Sequence, residues 1–167
     1  MNAGSDMLGF LGTDDVGMFE TLLGGFVADT HVRCALLCDR TGRMLSAAGD
    51  THGLDQTTFA SLASADFSAS DQLAVLLGEE EFTSLYHHGA HRSMFLADIS
   101  GAAILAVLFD TRTTLGMVRI KTKSLVPRFA EYFDRMAQRG PSGQVVQMET
   151  GWASDAESEI DRLFNEQ

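Results

Sequence analysis

The sequence predicts an α+β domain in which helices cover both faces of a five-stranded antiparallel sheet, followed by one further helix at the C-terminus. Three observations carry this. Apolar residues recur at three and four positions over residues 14–28, 55–77 and 124–138, the period of helices with one buried side. Strand-like runs lie between them at 33–39, 43–48, 93–99, 102–109 and 115–121, and the fourth, AAILAVLF, is apolar throughout, so it needs cover on both faces. The links within each group of runs are too short for crossovers, which makes neighbouring strands antiparallel.

Each element has its own justification. Thr13 is placed to cap the first helix, with Asp14 and Asp15 in the first turn and Val16, Phe19, Leu23 and Phe26 on one side. RCALLCD and RMLSAA, joined by Arg40, Thr41 and Gly42, read as a hairpin. Cys34 and Cys38 would share a face of the first strand roughly 13 Å apart, beyond disulfide reach, as small buried hydrophobes in a reducing compartment. The central helix carries an apolar stripe of Phe59, Leu62, Ala69, Leu73 and Leu76, and Gly78 ends it. Eight of the eleven residues 60–70 are Ala or Ser, leaving a second face with little bulk; packing of the chain's own sheet there would not account for small residues on both faces, so Ala60, Ser64 and Ser68 are expected to form a helix-to-helix contact between two copies of the chain. SMFLADI, AAILAVLF and LGMVRIK are expected as three consecutive strands, with the third helix starting near Ser124 and Pro127 in its first turn. The resulting order is αββαβββα: residues 1–13 a tail, 14–139 the domain, 140–153 a linker and 154–167 a short helix.

Charge narrows the partners. The net charge is −11, concentrated at the ends: residues 1–30 hold five acids and no base, and residues 140–167 hold six acids and one base. This sign repels nucleic-acid backbones and anionic lipid. No apolar run approaches the ~18 residues of a spanning helix, and the N-terminus lacks a secretory pattern, so a soluble cytoplasmic protein is expected.

Signs of catalysis are missing. Gly12 and Gly17 have phosphate-loop spacing, but Met18 and Phe19 stand where Lys and Ser/Thr are required, and no nucleophile elbow, H-E-x-x-H or dinucleotide motif appears. No catalytic residue and no cofactor are expected. His87, His88 and His91 could share a metal only on a helix, which Gly89 opposes; the expectation is loop histidines and no metal. Arg112 reads either as a turn arginine paired with Asp110 or as a finger offered to a partner's phosphates. Ile160, Leu163 and Phe164 stand at i, i+3 and i+4 on an acidic segment too short to be a stable helix alone; it docks either back on its own domain or, as the glycine-rich linker and acidic charge favour, in a groove that a partner supplies.

The order of elements, together with DRTGRMLSAAG, LDQTTFASLA, LLGEEEF, YHHGA, VLFDTRTTLGMVRIK and the terminal EIDRLFNE, resembles Roadblock-domain proteins of the MglB type. The resemblance covers residues 14–139 and implies a Roadblock/longin-like fold. It further implies a homodimer that regulates a small Ras-like GTPase of the MglA type in cell polarity and motility, in the cytoplasm and at a cell pole. Such proteins activate hydrolysis by reshaping the GTPase and donate no arginine, so Arg112 would not be a finger. Ser64, Phe67, Ser68, Asp71 and Gln72 on the central helix, and Ile160, Leu163 and Phe164 at the C-terminus, become the expected GTPase contacts. Asp66, Phe67, Asp71 and Gln72 depart from the Ala and Gly usual on that helix. They leave open a second reading, a non-catalytic adaptor that recruits polarity proteins without changing hydrolysis.

Overall fold

The computed structural model describes residues 11–139; expectations for the N-terminal tail up to residue 10, the 140–153 linker and the 154–167 helix, with Ile160, Leu163 and Phe164, lie outside the described residues. The elements are α1 (Thr13–Thr30), β1 (Cys34–Asp39), β2 (Met44–Gly49), α2 (Gln56–Leu77), β3 (Ser84–His88), β4 (Ser93–Ile99), β5 (Ala103–Phe109) and α3 (Leu115–Arg139). The strands form one antiparallel sheet in the order β2-β1-β5-β4-β3. This is the α+β arrangement that the resemblance implies, a five-stranded antiparallel sheet between helices.

Two apolar layers result from strand alternation. Leu37, Leu105, Val107 and Phe95 face α1 and α3, where Phe19, Phe129 and Phe133 close the larger core; Cys34, Leu36, Cys38, Leu96, Ile104 and Ala106 face α2. Central strands β1 and β5 are therefore covered on both sides, as the uninterrupted apolar run required. Cys34 and Cys38 are free thiols in the second layer, and burial pushes them up to about 11 and about 12, which keeps them protonated at neutral pH.

Helix ends follow local chemistry. The first helix is capped by Gly12 in place of Thr13, with the Asp15 carboxylate accepting the Gly12 N–H at 2.8 Å. Asp55 caps α2, accepting from Thr57 and Thr58 N–H at 3.1 Å each, and the Thr58 hydroxyl, donating at 2.7 Å, together with these N–H groups holds its carboxyl below the usual range. Gly78 takes the left-handed conformation, φ 80°, that ends α2.

Two assignments change. LGMVRIK is not a strand but the first two turns of α3: Thr114 Oγ1 accepts the Met117 N–H at 3.2 Å, and the inward residues Leu115, Val118, Thr122 and Leu125 have helical spacing. Its β-branched residues also fit alternation, and packing against the sheet decides the conflict. Pro127 consequently lies in the interior of α3, facing solvent. The fifth strand is β3, SLYHH, whose polar residues on an edge hid it; its register on β4 sets Leu85 opposite Leu96 and His87 opposite Met94.

Candidate partner-binding surface

The central helix lies the opposite way round from the expectation based on bulk. Ala60, Ala63, Ser64, Phe67, Ser70 and Ala74 face the chain's own sheet, and small side chains there let the helix lie close, with Phe67 filling the gap. The β1–β2 turn approaches so near that a Cβ on Gly42, φ +87°, would meet Ser61 Cα at 2.8 Å. Ala60 and Ser64 are thus core residues, with no side-chain surface to offer a second copy. Phe67 is fully buried and cannot touch a GTPase directly.

The larger residues point outward. Leu62 is 65% exposed, Leu73 54% and Leu76 81%, and with Ala65 and Ala69 they make an uncharged stripe along the helix from Leu62 to Leu76. Single exposed leucines are ordinary, but a continuous apolar stripe marks an interaction site. Ser68 and Gln72 border it, both exposed. On its other border, Asp66 Oδ2 stands 2.6 Å from His87 Nε2, which links α2 to β3. Among the described residues β3 pairs only with β4, leaving its outer edge open beside the stripe.

Arg40 fastens this helix to the sheet. Its Nη1 stands 3.2 Å from Asp71 Oδ2, its Nη2 2.6 Å from Asp98 Oδ1, and its guanidinium lies 4.9 Å from the Phe67 ring centroid. The Ser64 hydroxyl donates to the Arg40 carbonyl. Asp39 shapes the turn that presents Arg40, accepting from the N–H groups of Thr41 at 2.9 Å and Arg43 at 2.8 Å. Asp71, expected as a docking charge, is half-buried and engaged by Arg40. Nothing in the sequence pattern marked this clamp, because its members come from three separate segments.

The remaining candidates are dispersed. Arg112 is an exposed residue of the β5–α3 loop, with Nε 2.9 Å and 3.2 Å from the two Asp110 carboxylate oxygens. That bond holds the Asp110 carboxyl low and raises the guanidinium. His88 Nδ1 stands 3.0 Å from Ser93 Oγ, and His91 lies in the β3–β4 turn. Among the described residues no three His, Cys, Asp or Glu side chains gather in a metal-binding group, and no helix is long and apolar enough to cross a membrane.

Comparison with known families decides the affiliation: the Roadblock/LC7 domain matches residues 18–109, more than half of the chain. The chain belongs to the Roadblock/LC7 family. Among solved structures it is similar to Myxococcus xanthus MglB, at 31% identity over 71% of this chain and 96% of that one, with a TM-score of 0.68. A structure described as MglB with tetrameric arrangement aligns at 25% identity over 75% of this chain and 94% of that one, TM-score 0.68. The gliding protein MglB of Thermus thermophilus aligns at 28% over 72% of this chain and 88% of that one, TM-score 0.63. Profilin Ia of Acanthamoeba castellanii shares only the fold, at 11% identity and a TM-score of 0.53. No curated protein matches the sequence. The Roadblock domain and its MglB neighbours make this a regulatory protein of Roadblock type, a fold that is generally not enzymatic.

Proposed function

We propose that this Roadblock protein is a cytoplasmic homodimer that activates GTP hydrolysis in a Ras-like GTPase of the MglA type, in cell polarity and motility. The observation that carries the reading is the leucine stripe of α2 beside the open edge of β3, on a fold shared with MglB structures. Two copies meet through the stripe, and Ser68 and Gln72 on its border face the GTPase. The adaptor reading rests on the Asp71 and Gln72 face; Arg40 holds the Asp71 carboxylate, which weakens that half of its support, while Gln72 stays exposed.

The test is multiple-turnover GTP hydrolysis by the cognate GTPase with and without this protein. Acceleration supports activation, and binding without acceleration supports the adaptor. Arg112→Ala is expected to leave acceleration within about two-fold, since Arg112 is tied to Asp110, whereas loss of a true finger costs on the order of 10³ to 10⁵ in rate.

The C-terminal segment adds affinity. Ile160, Leu163 and Phe164 each contribute roughly 1.5 to 3 kcal/mol if fully buried on the GTPase, against about 2 to 5 kcal/mol for ordering the segment. Truncation after Gly151 is therefore expected to weaken GTPase binding by about ten- to a thousand-fold, at 1.4 kcal/mol per decade. Equal affinities of the truncated and full-length proteins in a binding titration would remove the segment from the contact.

A further inference from the structure

Residues 111–130 contain five basic side chains and no acid, in a chain whose net charge is −11. Two of the five are engaged, Arg112 by Asp110 and Lys121 Nζ by Asp29 Oδ2 at 3.6 Å. The others, Arg119, Lys123 and Arg128, are exposed, and no carboxylate among the described residues lies within ion-pair distance of them. The Arg119 guanidinium lies 6.0 Å from the Phe95 ring centroid. Between these cations Ile120 is 67% exposed and Met117 44%. Helical spacing sets Arg119 and Lys123 in one row and Met117, Ser124 and Arg128 in another, with Ile120 between. The solvent side of this half of α3 is thus an apolar strip flanked by cations.

Residues 154–167 carry the reciprocal pattern. At helical spacing Ile160, Leu163 and Phe164 form one ridge, bordered by Glu157 and Asp161 on one side and by Glu159 and Glu166 on the other. Arg162, the sole base of the segment, falls on the side opposite the ridge. Reach is sufficient. From Arg139 back to Ile120 along α3 is about 28 Å at 1.5 Å per residue, and the linker 140–153 can extend to about 46 Å.

We propose that the solvent side of the first half of α3, around Met117, Arg119, Ile120 and Lys123, is the resting dock of the chain's own acidic C-terminal segment, residues 154–167. A GTPase that takes Ile160, Leu163 and Phe164 must first displace them from α3, so the contact restrains partner binding. That consequence rests on the function proposed above; the contact itself does not.

Hydrogen exchange on the full-length protein without GTPase tests it. Amides of residues 154–167 are expected to exchange at least about ten-fold more slowly than unstructured chain, independently of protein concentration. Arg119→Glu with Lys123→Glu should abolish that protection, and Glu157→Lys with Asp161→Lys should restore it in the same chain. The Glu157→Lys and Asp161→Lys pair alone, outside the domain core, should also abolish it, so the result does not depend on how the α3 variant folds. Unprotected amides in the parent, protection indifferent to the reversals, or protection that grows with concentration through a second copy would each overturn the proposal. In a parallel titration the α3 variant should bind the GTPase several-fold more tightly than the parent. Protection without any GTPase binding would instead overturn the proposed function and leave the cis contact standing.

Discussion

Leu62→Glu combined with Leu73→Glu is expected to convert the proposed homodimer to folded monomers and to remove the proposed GTPase activation with it. Both leucines are more than half exposed in the single chain, so charge at these positions costs the isolated fold little. In a symmetric contact each would be buried twice, once from each copy. At roughly 1.5 to 3 kcal/mol per fully buried leucine, and with 65% and 54% of the two side chains left to bury in each copy, their loss amounts to about 4 to 7 kcal/mol, some three to five decades in the dimer dissociation constant, before repulsion between the carboxylates. Light scattering across a concentration series measures this, with circular dichroism as the folding control. A variant that remains a dimer at micromolar concentration would place the interface elsewhere, for instance along the open edge of β3 alone. Ser64→Arg would have been the natural disruptor had the small face been the interface; buried under α2, an arginine there should unfold the domain instead.

That inversion shows what the sequence disclosed and what it withheld. The hairpin, the start of the central helix near Asp55, Gly78 as a stop and the doubly covered β5 were all legible, because each depends on residues close in sequence. Periodicity also revealed two distinct faces on α2. It could not say which face lies nearer the sheet, since apolarity along a helix measures a preference for burial without naming what buries it. Ala60, Ala63, Ser64, Ser70 and Ala74 lie inward because close approach to the sheet needs small side chains, while Leu62, Leu73 and Leu76 are left exposed. In the same way 115–121 carried both periods and was settled only by packing on the sheet, while β3 was hidden by its edge position. Ser68 and Gln72 were legible as surface residues of the central helix; Phe67 and Asp71 were not, because their roles depend on Arg40 in the β1–β2 turn and Asp98 in β4.

Arg40→Ala is expected to destabilise the domain by about 3 to 5 kcal/mol, a large share of the roughly 5 to 15 kcal/mol that holds a typical domain together. Asp98 is the reason: its side chain is 7% exposed, and removal of the guanidinium leaves a buried carboxylate without its counter-charge. The Asp71 pair adds less, because that carboxylate is 38% exposed and screened by solvent. Packing contributes as well, since the guanidinium lies over the Phe67 ring and the chain's backbone at Arg40 accepts the Ser64 hydroxyl. Arg40→Met separates these effects by retaining an apolar stem over Phe67 while removing the charge. Adding Asp98→Asn to Arg40→Met should then recover most of the lost stability, because no buried charge remains; Asp98→Asn cannot rescue a loss that comes from packing. Urea unfolding of the three variants reads the outcome directly. An Arg40→Ala protein within about 1 kcal/mol of the parent would mean that α2 is held by its small-residue contact with the sheet alone. A loss of the expected size, with GTPase binding falling in step with the population of folded dimer, would mean that the clamp serves recognition by fixing the helix that presents Leu62, Leu73 and Leu76.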